Sequence, residues 1–461
     1  MGTWKGKLNE VVDQIITREA FSGGHTMAFN LYYKCIDEEK IKYIDYTSLY
    51  PYVQKYGIYP KGHPEIITEN FDKNKKYFGL IKCKITPPRG LYHPVLPAKI
   101  NNKLKFPLCA KCADTNQKHC NHNNEERGLI GTWVSLEVDK AIEKGYRIEK
   151  YYCVWHWHET LRYDEITKSG GLFTGYINNA LKEKQEASGF PSYCDTEEKK
   201  EKYIEEYYQN EGILLDKEKI EFNPGKRAVA KIKANSQWGY LAMNNNKVSY
   251  KIINDAGEWF KLLENDQYKI HDVKFFNEDT LQVFYSHNKD QFEGGVKTNE
   301  AVAAFVTAQG RLHLYKELEK LDKRVLYCDT DSIIYISRPG EYEPELGNYL
   351  GQFTNDIDEG YIEEFVSAGP KNYAYKLNNG KTHCTIKGFT QNHLASLKLT
   401  YEAIKDIVCE NQDKKIVVDQ LKFVKNKKQW TIKTNIEKKN YGFVYDKRVL
   451  FEDLTTLPFG Y

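Results

Sequence analysis

Arg324-Val-Leu-Tyr-Cys-Asp-Thr-Asp-Ser-Ile-Ile-Tyr-Ile336 is the stretch on which the fold turns. Two apolar, β-rich runs flank Asp329-Thr330-Asp331-Ser332, the pattern of a hairpin with two carboxylates at its tip. Alternation along a strand puts Asp329 and Asp331 on the same side. Carboxylates sharing one space repel, and a divalent cation is the usual relief. An isolated Asp-x-Asp is more often a polar turn, and it also occurs in glycosyltransferases that bind a metal and a nucleotide sugar. Other parts of the chain must decide.

Upstream, Ile41-Lys-Tyr-Ile-Asp-Tyr-Thr-Ser-Leu-Tyr-Pro51 predicts an apolar strand ending at Asp45, with Thr47 or Ser48 capping a short helical turn. A carboxylate then lies beside free backbone amides, where a metal and a phosphate can both sit. Downstream, Asn223-Pro-Gly-Lys-Arg-Ala-Val-Ala-Lys-Ile-Lys-Ala-Asn-Ser-Gln-Trp-Gly239 predicts a helix with Asn223 as N-cap and Pro224 in the first turn. Arg227, Lys231 and Asn235 line one face of it. Stacked cations repel unless an anion sits between them, and a triphosphate is the obvious candidate. A merely solvated basic helix leaves Asn235 and Trp238 unexplained.

Together these segments resemble the family B DNA polymerases. Asp45-x-x-Ser48-Leu49-Tyr50-Pro51 matches the family's first polymerase motif, Lys231-x-x-x-Asn235-Ser236-x-Trp238-Gly239 the second, and Tyr327-x-Asp329-Thr330-Asp331-Ser332 the third, in the family's order. Lys371-Asn372-Tyr373 matches the Lys-x-Tyr element. Phe21-Ser-Gly23-Gly24 is similar to the linker that joins exonuclease to polymerase in the protein-primed branch. Asp45 and Lys231 are 186 residues apart, which leaves room for a large insert. That insert and the ending Thr456-Leu-Pro-Phe-Gly-Tyr461 look like polymerases of Polinton (Maverick) transposons, related viruses or linear plasmids.

The resemblance implies a DNA-directed DNA polymerase with a role for each motif. Asp45 and Asp331 hold two Mg²⁺ ions at the primer end, with Asp329 supporting the cluster. Arg227 and Lys231 bind the triphosphate from one side, and the amides of Ser48 and Leu49 from the other. Tyr50 is the steric gate against a ribose 2′-hydroxyl, and Asn235 and Trp238 line the nascent base-pair pocket. Lys371 and Tyr373 contact the primer strand; Phe21, Gly23 and Gly24 contact template. The partners implied are primer-template DNA, dNTPs and a terminal priming protein. Two departures stand out: Trp238 replaces the usual Tyr, and His25 follows the double glycine where Arg is expected. Only 44 residues precede Asp45, too few for a proofreading exonuclease domain, so no 3′→5′ exonuclease activity is expected.

The expected architecture is α+β, a right hand whose palm has an antiparallel sheet plus helices, with helical fingers and a small thumb. Residues 1–100 form the linker motif and first part of the palm, 101–165 an insert, 166–249 the fingers, 250–390 the second part of the palm and 391–461 the thumb. Residues 197–210 and 298–321 read as helices. The net charge of +3 is uneven: residues 411–448 carry 11 Lys/Arg against 4 Asp/Glu, a segment suited to a polyanion or to plain solvation.

Ten cysteines in 461 residues do not make a disulfide scaffold. Cys109-Ala-Lys-Cys112 and Cys120-Asn-His122 offer four ligands for one structural Zn²⁺, with His119 competing for the last place; ordinary reduced thiols are the other reading. No stretch approaches the roughly 20 apolar residues of a membrane helix. Met1-Gly2-Thr3-Trp4-Lys5-Gly6 has neither an apolar secretory core nor the Ser/Thr of a myristoylation signal. An intracellular protein follows, at the nucleus or a host-cell replication site and with no membrane partner. The competing readings are a catalytically inactive DNA-binding relic, a reverse transcriptase (whose third motif has adjacent aspartates) and a glycosyltransferase, which leaves Lys231, Asn235 and Tyr50 unexplained.

Overall fold

The computed structural model describes residues 14–72, 74–288, 297–390, 392–426, 429 and 431–461. The N-terminal stretch read at residues 1–6 lies outside them, as do Lys427 and Lys428 of the basic segment. Apolar runs build a central antiparallel sheet in the order Thr26–Ala28, Val325–Asp329, Ser332–Ser337, Lys40–Tyr46, Ile362–Gly369, Asn372–Leu377, Thr382–Ile386. Phe353–Asn355 pairs beside Lys40–Tyr46, and Tyr32–Lys34 beside Ile362–Gly369. The strands Val325–Asp329 and Ser332–Ser337 are buried on both faces, which is why they read as unbroken apolar runs.

Each face of this sheet has its own core. Ile44, Cys328, Ile333 and Tyr335 pack with Phe305, Leu314 and Leu318 of the helix Glu300–Leu321. Ile41, Leu326, Ile334 and Ile336 pack with Tyr401, Ile404 and Ile407 of the helix Tyr401–Cys409 on the other side. The fold is therefore α+β, as expected. Asn299 caps the long helix by accepting from the Val302 amide at 3.0 Å. That helix is buried around most of its circumference because a second sheet covers its far side, where Leu312 and Tyr315 join Ile81, Trp133 and Val138.

Strand pairing draws the domain boundaries differently from the expected 100 and 250. The second sheet runs Glu65–Ile67, Arg147–His156, Gly79–Thr86, Leu129–Val134, so residues well before 100 belong to the insert. Residues from 249 onward form a small sheet of their own, Ser249–Ile253, Leu281–His287 and Tyr268–Phe275, with the helix Ala256–Glu264. Between these units the segment expected to form fingers is largely helical. Thr174–Glu186 packs against Pro224–Leu241, with the Tyr176 hydroxyl donating to the Lys233 carbonyl at 2.9 Å and Lys233 paired to Glu183 at 3.0 Å. Glu197–Glu211, capped by Thr196, buries Tyr203 and Tyr207 one turn apart and exposes its charged face.

The expected thumb, 391–461, divides into three parts. Tyr401–Cys409 packs on the central sheet, Lys415–Asn426 and Thr431–Gly442 form a long exposed hairpin, and the last residues run back to the sheet edge. There the Thr456 amide donates to Phe29 at 3.0 Å, and the Leu31 amide to Leu454 at 2.9 Å. No helix among the described residues is long and apolar enough to cross a membrane.

Candidate active site

Register brings the three predicted carboxylates together. Asp45 lies opposite Ser332, Ser332 opposite Asp329, and Asp331 occupies the turn between the two strands. The turn departs from the simple alternation expected for Asp329 and Asp331. Thr330 takes a left-handed φ of 61°, so the strand stops at Asp329 and the turn, not the pleat, sets the position of Asp331. A non-glycine residue there costs roughly 1 kcal/mol. Neighbouring backbone holds it: the Thr330 amide donates to the His25 carbonyl at 2.8 Å, and the Tyr46 amide to the Asp331 carbonyl at 2.7 Å.

The three carboxylates are not electrically equivalent. Asp329 accepts from Thr26 Oγ1 at 2.8 Å and from Lys371 Nζ at 2.8 and 2.9 Å. Asp45 lacks such neutralisation: burial, then the charges of Asp331, Asp356 and Asp329, push its carboxyl up to about 7 against the pull of Lys231. Burial and Asp329 likewise raise Asp331. Asp45 and Asp331 are thus the pair whose negative charge awaits a cation, and oxygen donors of this kind suit a hard divalent ion.

Across the cleft stands the helix Pro224–Leu241. Asn223 caps it, accepting from the Lys226 amide at 2.9 Å, and Pro224 opens it, as its sequence predicts. Arg227 and Lys231 are exposed on it. A third cation joins them, one that sequence reasoning missed. Lys184, on Thr174–Glu186, comes within 3.5 Å of Ser48 Oγ, and burial followed by Arg227 and Lys231 pushes its ammonium below the usual value. Nothing in the local pattern around Lys184 singles it out; only the packing of the two helices does.

Ser48 precedes the helix Leu49–Tyr56 with a left-handed φ of 56° and makes no side-chain cap, unlike the capping role expected of it. Leu49 is buried in the core beneath. The Tyr50 ring lies 4.4 Å from that of Trp238, and Phe21 stands 6.2 Å from Trp238, so an aromatic cluster joins the helix Leu49–Tyr56 and the linker motif to the helix Pro224–Leu241. Asn235 lies three residues before Trp238 and is half-buried.

Three positions differ from their expected surroundings. A Cβ on Gly24 would overlap the Thr330 side chain, so this glycine serves the carboxylate turn, while the space beside Gly23 is open. His25 faces inward: it is 4% exposed, stacks on Phe106 at 3.8 Å, and is held neutral by burial and by His93. Tyr373, expected at the primer, is 7% exposed, with its hydroxyl 3.1 Å from that of Tyr43. It offers little surface to a ligand, whereas the Lys371 side chain is half exposed. Cys109, Cys112, Cys120 and His122 do converge, with the three cysteines in a small core cluster separate from the two that flank the central sheet.

A carboxylate trio on an antiparallel sheet, faced by a basic helix, is the arrangement expected from the sequence motifs. Residues 7–193 match the family model of DNA polymerase type B, organellar and viral. A DNA polymerase of Kluyveromyces lactis is 22% identical over 374 residues, covering 78% of this chain and 31% of that protein. DNA polymerase 1 of Sulfolobus acidocaldarius is 31% identical over 199 residues, 40% of this chain and 21% of that one. Phi29 DNA polymerase in its ternary complex with primer-template DNA and incoming nucleotide matches with a TM-score of 0.55 at 13% identity, over 96% of this chain and 63% of its own. The chain spans about a third of the length of the curated relatives it matches.

Proposed function

We propose that this chain extends a DNA primer on a DNA template, adding deoxynucleotides to the 3′-hydroxyl. The observation that carries this reading is the unbalanced pair Asp45 and Asp331 facing the cations Lys184, Arg227 and Lys231. The two carboxylates disfavour one another's charge and the three cations crowd one another, and a metal-bound nucleoside triphosphate relieves both. Asp45 and Asp331 would hold two Mg²⁺ ions, which supply activation of the primer hydroxyl and neutralisation of the triphosphate. Asp329, tied to Lys371 and Thr26, keeps the turn in place.

The residues of the chain then act mainly by positioning. Lys231, Arg227 and Lys184 receive the triphosphate from the fingers, and the amides of Ser48 and Leu49 from the palm. Tyr50, braced by Trp238, fills the space a 2′-hydroxyl needs, and Asn235 lies on the same helix toward the base pair. Lys371 would reach the primer, and the open face at Gly23, with Phe21, the template. The exposed hairpin Lys415–Asn426/Thr431–Gly442 would hold duplex phosphates in a salt-sensitive way. The resemblance to the protein-primed branch adds a terminal priming protein as the partner that supplies the first hydroxyl.

Primer extension with Mg²⁺ and dNTPs, comparing wild type with Asp331→Asn, tests the proposal. Extension by wild type and its loss in the variant is expected. Duplex binding without extension by either protein would instead favour a DNA-binding relic.

A further inference from the structure

We propose that Cys109, Cys112, Cys120 and His122 bind one Zn²⁺ ion, and that this site is a latch fastening the C-terminal tail across the edge of the palm. The four ligand atoms lie within 4.8 Å of one another. His122 Nδ1 is 3.5, 3.3 and 3.9 Å from the sulfurs of Cys109, Cys112 and Cys120. Tetrahedral ligands at ordinary Zn–S and Zn–N lengths stand roughly 3.5–3.8 Å apart, so a single ion fits the group as it is. Three thiols and an imidazole meeting at one point also exceed what a disulfide would use.

The surroundings are built for such an ion. Cys109 caps the short helix Ala110–Thr115, its sulfur accepting from the Cys112 amide at 3.4 Å. Arg89 donates to the carbonyls of Cys120 and His122 at 3.5 and 3.0 Å, orienting the second ligand pair. Zinc with three thiolates and a neutral histidine leaves one net negative charge. Lys105, only 1% exposed, lies against the same helix, donating to the Ala113 carbonyl at 2.7 Å and to Asn116 Oδ1 at 3.0 Å.

What the site grips is the segment around Phe459 and Gly460. Phe459 packs with Cys109, Cys112 and Ala113, and the Lys105 ammonium lies 4.7 Å over its ring. The Leu108 amide donates to the Phe459 carbonyl at 2.8 Å. Gly460, at φ +90°, passes so close to Cys109 that any Cβ would overlap it. From this anchor the tail crosses the strand Thr26–Ala28 and its extension. Arg448 is 2% exposed, with its guanidinium 4.8 Å from the Phe29 ring and 4.9 Å from that of Tyr92, and it donates to Thr456 Oγ1 at 2.9 Å. Thr26 on that strand donates to Asp329. Without the ion, three buried or half-buried thiols would crowd the floor on which Phe459 rests, and the tail would lose its end point.

The test uses the full chain purified without chelator. Elemental analysis is expected to find about one zinc per chain. The Co²⁺-exchanged protein should show the thiolate charge-transfer and intense visible bands of a tetrahedral site. Removing the metal should speed hydrogen exchange at the Leu108, Leu31 and Thr456 amides by roughly tenfold or more, with the Ser332–Ser337 amides unchanged. Phe459→Ala keeps all four ligands and should still bind about one zinc, but release it to a chelator roughly tenfold faster. Folded protein with less than about a tenth of an equivalent of zinc would overturn the metal site. Zinc whose removal leaves those three amides protected would overturn the latch, as would unaltered release from the Phe459→Ala protein.

Discussion

Arg311, on the helix Glu300–Leu321, forms a two-pronged ion pair with Glu137 of the insert, at 2.8 and 2.9 Å, with both side chains buried. The same guanidinium donates to the carbonyls of Ser22 and Gly23 at 2.5 and 2.8 Å. One buried cation therefore ties the insert, the long helix and the linker motif to a common point.

Glu137→Ala should leave that cation uncompensated and destabilise the protein by about 3–5 kcal/mol, seen as a lower Tm. Arg311→Met combined with Glu137→Leu removes both charges and should recover most of the loss. The hold on Ser22 and Gly23 is not recovered, so primer-template affinity should stay below wild type. Restored affinity in the double variant would show that the linker does not depend on Arg311.

How much of this was legible follows from where each signal lies. The carboxylate hairpin, the strand carrying Asp45 and the capped helix from Asn223 are local patterns; the hairpin and helix form as read, and the strand runs one residue past Asp45, to Tyr46. The Arg311 pair was not legible, because Glu137 and Ser22 are remote in sequence and nothing nearby marks them as its partners. Gly24 has the same character: its missing side chain makes room for Thr330, from a turn distant in sequence. Tyr373 was misjudged for the converse reason. The Lys-x-Tyr pattern places two residues near the site, but Lys371 sits in the turn before the strand Asn372–Leu377, at a left-handed φ of 61°, and is half exposed, whereas Tyr373 lies within the strand in the sheet's second core. The small sheet that includes Tyr250, Ile252 and Val283 was missed because its short alternating strands sit in a polar stretch.

Stability at low pH should report a cluster away from the candidate active site. Burial alone would raise the Glu364 carboxyl, but hydrogen bonds from Lys405, Tyr401 and Lys34 outweigh it and hold the group at about 2. Because the folded value is lower than the unfolded one, the stabilisation is complete above about pH 5 and is lost as pH falls from there toward 2. The loss should be on the order of 3 kcal/mol. Glu364→Gln should flatten the denaturation profile over that window while lowering stability at pH 7. An unchanged acid limb would show that other carboxylates govern it.

Discrimination against ribonucleotides should rest on Tyr50 and its brace. Tyr50→Val removes the ring that would meet a 2′-hydroxyl, and rNTP incorporation relative to dNTP should rise by about 10–100-fold in kcat/KM. Trp238→Ala leaves the ring present but unsupported on one face. It should give a smaller rise in the same direction, together with weaker dNTP binding. Equal discrimination by wild type and Tyr50→Val would remove the gate from Tyr50.

Lys184 offers a test in which stability and function move in opposite directions. Its ammonium is held near Arg227 and Lys231 and partly out of water, a placement unfavourable to the protein without a ligand. Lys184→Met removes one of three mutually repelling charges and should leave the ligand-free protein as stable as wild type, or more stable by about 1 kcal/mol. The same change removes one charged contact to a triphosphate, worth about 1.5–3 kcal/mol, so KM for dNTP should rise by roughly 10–100-fold. Lys184→Arg should restore most of the affinity, because it restores the charge. A residue that merely packs the two fingers helices would behave otherwise: Met would destabilise the fold, and dNTP affinity would follow stability downward. The two readouts therefore separate a triphosphate contact from a structural lysine.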